Sequence, residues 1–316
     1  MTTLFRLAIA SGITALATLA SMPAPAQDTG PYTIAETGRS FTRLQDAVNA
    51  IGGGRGTIRF ASLRFADCAV QTQGEVAYVA AVPGQSVLDG TACEGKAALV
   101  LRGRAARVDG LVFSNIRVSD KNGAGIRLEG GDLAVSQSWF RDSEQGILTA
   151  GNPDGAITID KSTFTRLGTC EGSGCAHSLY VGDYGSLTVT RSRFEAGRGG
   201  HYLKSRAARM VVENCSFDDT GGRTTNYMID VSAGATGSIT GNWFVQGRDK
   251  ENYSAFIAIG AEGRVNPSAG LAIAGNDARF APGITRESTF VADWTGERLA
   301  IGQNALGAGL KRFEKR

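Results

Sequence analysis

The chain has 316 residues, with 33 Lys and Arg against 30 Asp and Glu, a formal net charge of +3. Near-neutrality without a clustered basic tract leaves no electrostatic footprint for nucleic acid, and no stretch beyond the N-terminus approaches the 18 or more apolar residues of a membrane span. Glycine is the outlier, 43 against 7 prolines, about twice its usual share; because apolar residues stay plentiful and recur, this points to a turn-dense repeat fold rather than disorder.

In chain order, residues 1–26 read as a secretory signal. Arg6 lies near the start, 7–20 are mostly apolar or small, and Ala24-Pro25-Ala26 supplies a small-residue cleavage site before Gln27. Residues 27–316 are then expected in a periplasm or outside the cell, and losing Arg6 takes the formal charge from +3 to +2. Five cysteines in such a compartment can pair. Cys170 and Cys175 bracket "EGSG" and can close a small loop, Cys68 and Cys93 are the expected second pair, and Cys215 is left over. With no C-x-x-C or Cys/His cluster at zinc spacing, no metal is expected at the thiols.

The segment "SFTRLQDAVNAIGGG", residues 40–54, is the one good amphipathic helix: Ser40 can cap it, Leu44, Ala47, Val48 and Ile51 share a face, and the glycine run stops it. It is expected to act as the N-terminal lid of a solenoid, whose open ends expose core and unpaired strand edges.

The repeat itself follows. "VDGLVF", "VSQSWF", "IDKSTF", "VTRSRF", "VENCSF" and "ITGNWF" each place a β-branched residue five positions before a Phe, and the successive spacings from Phe113 to Phe244 are 27, 24, 30, 23 and 27 residues. Each unit holds two or three short alternations of period two separated by Gly, Ser, Asn or Asp, with no 3.6-residue apolar stripe. The expected fold is therefore all-β, a single-domain parallel β-helix with main coils over 99–280, and 281–316 forming a last degenerate coil and tail in which "KRFEKR" is solvated. Two residues before the Phe of the last five units stand Ser138, Ser162, Ser192, Cys215 and Asn242, a stacked corner that makes Cys215 a buried structural thiol.

The first alternation of each unit gives Ile126/Leu128, Ile147/Thr149, Leu179/Val181, Leu203/Ser205, Ile229/Val231 and Ile257/Ile259 as inward pairs. The residues between them must point out, because side chains alternate across a strand. The outward column is then Arg127, Leu148, Tyr180, Lys204, Asp230 and Ala258, with neighbours about 4.8 Å apart. Flanking outward columns hold Ser178 and Tyr202 on one side, Arg206 and Ser232 on the other, and the only two histidines, His177 and His201, share a column one position upstream. Such ladders also serve simply to keep a solenoid soluble. Here, however, ionisable, phenolic and hydroxyl groups meet on the middle coils while the coils at either end offer Gly146, Leu148, Ala258 and Gly260.

A strand face of Tyr, Lys and Arg suits an acidic polysaccharide or oligosaccharide, since arginine binds a carboxylate bidentately and tyrosine stacks on a pyranose ring. For β-elimination, Lys204 or a histidine would be the base, Arg206 would neutralise the uronate carboxylate, and Tyr180 or Tyr202 would donate the proton. Asp230 beside Lys204 favours the ammonium, against a base role, whereas an imidazole titrates near neutrality without help. Asp230, Ser178, Tyr202, Arg127, Tyr227 and Asp183 complete the expected substrate contacts, and Asp230 with Asp183 is the carboxyl pair available for hydrolysis. No acidic cluster is written for Ca²⁺, so no cofactor is expected, with Ca²⁺ the one alternative left open, and the expected state is a monomer.

The run "GIRLEGGDLAV…EQGIL…HSLYVGDYGSLTVTRSRF…GGHYLKSRAARMVVENCSF…NYMIDVSAGATGSITGNWF", with "GHYLKSRA" its most specific piece, resembles exported proteobacterial right-handed parallel β-helix repeat proteins over most of 30–305. The wider superfamily includes pectate and alginate lyases, polygalacturonases, mannuronan epimerases and phage tailspikes, so the resemblance implies carbohydrate as the ligand class. In its lyases a Lys or Arg on the outward strand face acts as base, which fits Lys204 and Arg206. The calcium-binding aspartates of pectate lyases and the paired aspartates of polygalacturonases have no match, and a non-catalytic glycan-binding role stays open beside lyase, epimerase and hydrolase activity.

Overall fold

The computed structural model describes residues 30–316; the secretory signal expected at 1–26 lies outside them. Three sheets run the length of the molecule, one of twelve strands and two of ten, and each coil contributes one strand to each in turn. All pairings between coils are parallel, while Tyr32–Ile34 and Ser40–Phe41 add two antiparallel strands at the start of the first sheet. Every proposed inward pair, from Ile126/Leu128 to Ile257/Ile259, is buried, but on the third sheet the column between them is not the exposed face that alternation alone predicts: Leu148, Lys204, Asp230 and Ala258 are buried as well.

The second sheet explains the phenylalanine spacing. Phe113, Phe140, Phe164, Phe194, Phe217 and Phe244 lie face to face at centroid distances of 4.7–4.9 Å, with ring planes within 11° of parallel. The residue three before each Phe turns the corner in the left-handed region, at Gly110, Gln137, Lys161, Arg191, Asn214 and Gly241 (φ 47–73°). The next residue carries the buried ladder: Ser162 Oγ accepts from Ser138 N, Ser192 Oγ from Ser162 N, and Asn242 Oδ1 from Cys215 N. Asparagine then continues it, Asn276 and Asn304 each accepting from the backbone N–H one coil below.

The lid is shorter than its sequence suggests. The helix is Leu44–Ile51, stopped at Gly52 (φ 57°), with Leu44, Ala47 and Val48 buried over the first coil and Ile51 half-buried. Ser40 does not cap it. It belongs to the strand Ser40–Phe41 and its Oγ pairs with Thr33 Oγ1 at 2.8 Å, so the helix start is satisfied from outside, Leu44 N donating to Asp67 Oδ2. Parallel pairing also reaches beyond 99–280, from Arg55–Phe60 to Leu310–Lys315. The "KRFEKR" end is accordingly no solvated tail: it lies in a strand paired with Ser288–Asp293, because half-buried Phe313 packs on the core. Both disulfides join the expected partners, Cys68–Cys93 and Cys170–Cys175, and Cys215 is free and buried. No described helix is long and apolar enough to cross a membrane.

Candidate functional site

The third sheet places the outward column as the alternation requires. Register pairs Arg127 with Leu148, Leu148 with Tyr180, Tyr180 with Lys204, Lys204 with Asp230, and Asp230 with Ala258. A cavity of about 310 Å³ opens on the middle of this column, lined by His177, Tyr180, His201, Lys204, Arg206, Asn226, Glu251 and the Gly174–Cys175 edge of the disulfide loop. All five residues nominated as catalytic therefore line one cavity.

Its cations are held by carboxylates. Lys204 Nζ lies 3.4 Å from Asp230 Oδ2 and also bonds Glu262 Oε1, while Arg206 Nη2 bonds the other oxygen of Glu262. Arg206 Nε donates to Tyr180 Oη at 3.0 Å, leaving the phenolic proton free to point elsewhere, and both cationic groups stand 5.8 Å from the Tyr180 ring centre. Asp230 is 2% exposed and accepts from Ser232 Oγ; burial pushes its carboxyl up, against the pull of Lys204. For Glu262 burial works in the same direction but loses to the hydrogen bonds and charges of Lys204 and Arg206, which hold it below the usual range.

The two histidine rings lie 4.9 Å apart with their planes tilted by 30°, and a backbone contact places the proton of one of them. The backbone N–H of His201 donates to His177 Nδ1 at 2.9 Å, so neutral His177 carries its proton on Nε2 and has no lone pair to offer the cavity. A Cβ on Gly200 (φ 60°) would collide with the Ala176 carbonyl and with His177 Nδ1, so glycine is what lets the two histidines meet. His201 Nε2 faces Asp230 Oδ2 at 3.5 Å, and its Nδ1 is buried without a partner. Burial, reinforced by Lys204 and Arg206, pulls His177 down to about 3; burial, then the His177 and Lys204 charges, takes His201 well below its ordinary value. Neither imidazole presents an acceptor nitrogen to a substrate, which overturns the histidine base.

Several expected contacts lie elsewhere. Tyr202 was placed on the outward face, but it precedes the strand Leu203–Ser205 in a corner where alternation has stopped. It is 1% exposed and donates to Asp219 Oδ1 at 2.6 Å, and burial beside that carboxylate raises it well above the ordinary phenol, so it is no proton donor to the cavity. Asp219 is itself held by Thr225 Oγ1, Gly247 N and the buried Lys250 at 3.2 Å. Ser178 is buried in the same kind of corner. Tyr227 is buried and stacks on His201 at 5.5 Å, so that ring face is not available to a sugar. Arg127 is separated from Tyr180 by buried Leu148 and pairs with Glu129 at 3.4 Å. Asp183 is exposed at a turn beyond Val181 and does not line the cavity.

Glu262, Asn226 and Glu251 were missed. Asn226 Nδ2 donates to Glu251 Oε2 at 2.8 Å on the cavity rim. Glu262 sits in "GAEGR", where Gly260 (φ 70°) and Gly263 (φ 150°) turn the chain and aim a long side chain back across two coils. The two glycines around an acid were the available signal. Among the described residues the one cluster with metal-like donor spacing is Cys170, Cys175 and Glu251, and its two sulfurs are bonded to each other, leaving no thiolate.

The stacked parallel coils make this a β-solenoid protein. A family model described as a right handed beta helix region matches residues 107–278, and the chain belongs to that family. No curated protein matches the chain. Among solved structures, ORF18 of Geobacillus virus E2 is similar at 13% identity over 86% of this chain and 56% of that one, with a TM-score of 0.48. A mutant of the PL6-family alginate lyase AlyGC is similar at 12% identity over 82% of this chain and 50% of that one, with a TM-score of 0.30. The chain spans about half the length of each.

Proposed function

We propose that the chain is an exported, monomeric, carbohydrate-active β-helix protein that seats a uronate unit of an acidic polysaccharide against Lys204 and Arg206 and cleaves the chain by β-elimination. One observation carries this reading: Lys204 and Arg206, which both line the cavity, hold the two oxygens of a single carboxylate, that of Glu262. The wall thus already grips the group that defines a uronate, in the two-point manner charged donors favour. The two disulfides suit an oxidising compartment.

In the proposed step Lys204, paired with Asp230, is a neutralising cation rather than a base. With Arg206 it withdraws charge from the uronate carboxylate and acidifies the C5 proton. Tyr180, whose oxygen already accepts from Arg206 Nε, takes that proton as its own hydroxyl proton passes to the departing oxygen; the C5–H electrons form the C4=C5 double bond as the C4–O bond breaks. The positive charge comes from the protein, so the chemistry calls on no metal. A hydrolytic pairing of Asp230 with Glu262 has the opposed shifts of an acid and a base, but Asp230 is too deeply buried to meet a glycosidic oxygen.

The experiment incubates the protein, with and without EDTA, with a panel of uronate polymers and follows the ultraviolet absorbance of unsaturated uronate. Wild type should form product in both buffers, and Tyr180→Phe should lose about 10²–10⁴-fold in turnover while still binding polymer. A second reading, a non-catalytic glycan-binding module, is favoured by the absence of an imidazole acceptor in the cavity. Polymer binding with no product from wild type would establish it; neither binding nor product would overturn both.

A further inference from the structure

The Glu262 carboxylate does more than illustrate what the wall can bind. It occupies the place a ligand carboxylate must take, between Lys204 Nζ and Arg206 Nη2, and so satisfies both donors internally. We infer that Glu262 is a built-in competitor for the carboxylate seat, filling it in the free protein and leaving it when an anionic ligand arrives. This rests on the reading of the wall as a uronate site and adds how that site discriminates.

The local chain is made for such an exchange. The Glu262 backbone is fixed, its N–H donating to Ser232 O at 3.0 Å and Gly263 N to Gly260 O at 3.3 Å, so vacating the seat needs only side-chain rotation. The Glu262 side chain keeps 40% of its surface in solvent, in contrast to 9% for Lys204 and 3% for Asp230. A released Glu262 carboxylate is therefore hydrated at little cost, whereas released Lys204 would leave Asp230 buried and unpaired. Glu262 is thus the mobile member of the cluster, and Asp230 the fixed one that keeps Lys204 in place when Glu262 leaves.

Discrimination follows from the exchange. A neutral sugar offers nothing that replaces a carboxylate on two cations, so it cannot displace Glu262. A uronate exchanges one carboxylate for another and adds the contacts of its ring. Affinity for any acid is lowered by the competition, and neutral glycans are rejected by more.

The test begins with acetate alone, which carries the carboxylate and no sugar. Calorimetric titration of wild type, Glu262→Gln and Glu262→Asp, each checked for an unchanged melting temperature, should give a gain in acetate affinity of about tenfold or more in both variants, the scale of a charge-assisted hydrogen bond. Acetamide should show no gain. Equal or weaker acetate binding in the variants would overturn the inference. Uronate oligosaccharides form the second arm: a Glu262→Gln gain with acetate but no oligosaccharide binding by any form supports the seat and removes the glycan reading. Wild-type oligosaccharide binding that Glu262→Gln leaves unchanged keeps the glycan reading and removes the competitor.

Discussion

The same coils carry two columns that obey the same spacing and differ in everything else. On the second sheet, Phe164, Phe194 and Phe217 repeat one ring at 4.7–4.9 Å, and Ser162 and Ser192 repeat one hydroxyl. On the third, the side chain changes at every storey, from Leu148 to Tyr180 to Lys204 to Asp230. Identical residues are what stacking favours, because each interface reuses one good packing solution. A column that buries an ammonium and a carboxylate departs from that solution, and a buried ion pair is weak ground for stability. The lesson is a way to tell scaffold from site in a solenoid: repetition marks the first, broken repetition with buried charge the second.

The comparison breaks first, and most strongly, in the ladder. Phe194 is fully buried between Phe164 and Phe217. Phe194→Ala should cost about 3–5 kcal/mol in urea unfolding, the range for a Phe deleted from a core that cannot collapse around the gap. A loss under 1 kcal/mol would mean that the ring stack is not what holds adjacent coils together.

Acidification should strain the other column. His177 is held at about 3 against an ordinary 6.5, and His201 is depressed in the same direction. The unfolded chain therefore takes up protons first as pH falls from 6.5, so stability present above that pH is lost toward 3 for His177, at roughly 1 kcal/mol per pH unit, and His201 adds a loss of the same sign. Asp230, raised by burial, acts with the opposite sign, and Glu262 joins the histidines only below its ordinary 4.5. Between pH 6.5 and 5 the histidines should govern the slope. Unfolding midpoints across that window should fall for wild type and fall less for His177→Gln; parallel slopes would show that the imidazole is protonated as easily in the folded protein as in the unfolded one.

Much of this was legible in the sequence because two periods act together. A period of two fixes the face of a residue and a period near 25 fixes its neighbour, so Tyr180, Lys204 and Asp230 could be stacked from letters alone, as could the Phe and Ser columns. Legibility ended where strands end. Tyr202 has outward parity but sits in a corner, and its hydroxyl turns in to Asp219. Ser40 looks like a helix cap until Thr33 claims its hydroxyl for a strand pair. Glu262 was invisible to column reading because it lies on a turn, 58 residues from Lys204, and its reach depends on two glycine conformations. The histidine protons were hidden for another reason, since a backbone N–H took the lone pair that a catalytic base would need.

The smallest effect is the sharpest check on the ladder. Cys215 stands in the serine column, with Sγ at 3.3 Å from Glu213 O. Ser162 and Ser192 make the equivalent bond to the carbonyl two residues back, at 3.0 and 2.8 Å to Asp160 O and Thr190 O. A serine at 215 has that acceptor waiting, and the backbone N–H of 215 keeps its bond to Asn242 Oδ1 because no side-chain atom of 215 takes part. Cys215→Ser should therefore change stability by no more than about 1 kcal/mol, the worth of one neutral hydrogen bond against the slightly smaller volume. Cys215→Leu, which forces extra methylenes into the same corner, should cost about 1–3 kcal/mol. Burial also raises the thiol to about 11, so reagents that attack thiolates should leave the folded protein unlabelled at neutral pH and modify it on unfolding. If serine proved as costly as leucine, position 215 would be shaped for sulfur rather than for a small group, and the column would not be the repeating scaffold with which the Lys204 wall is contrasted.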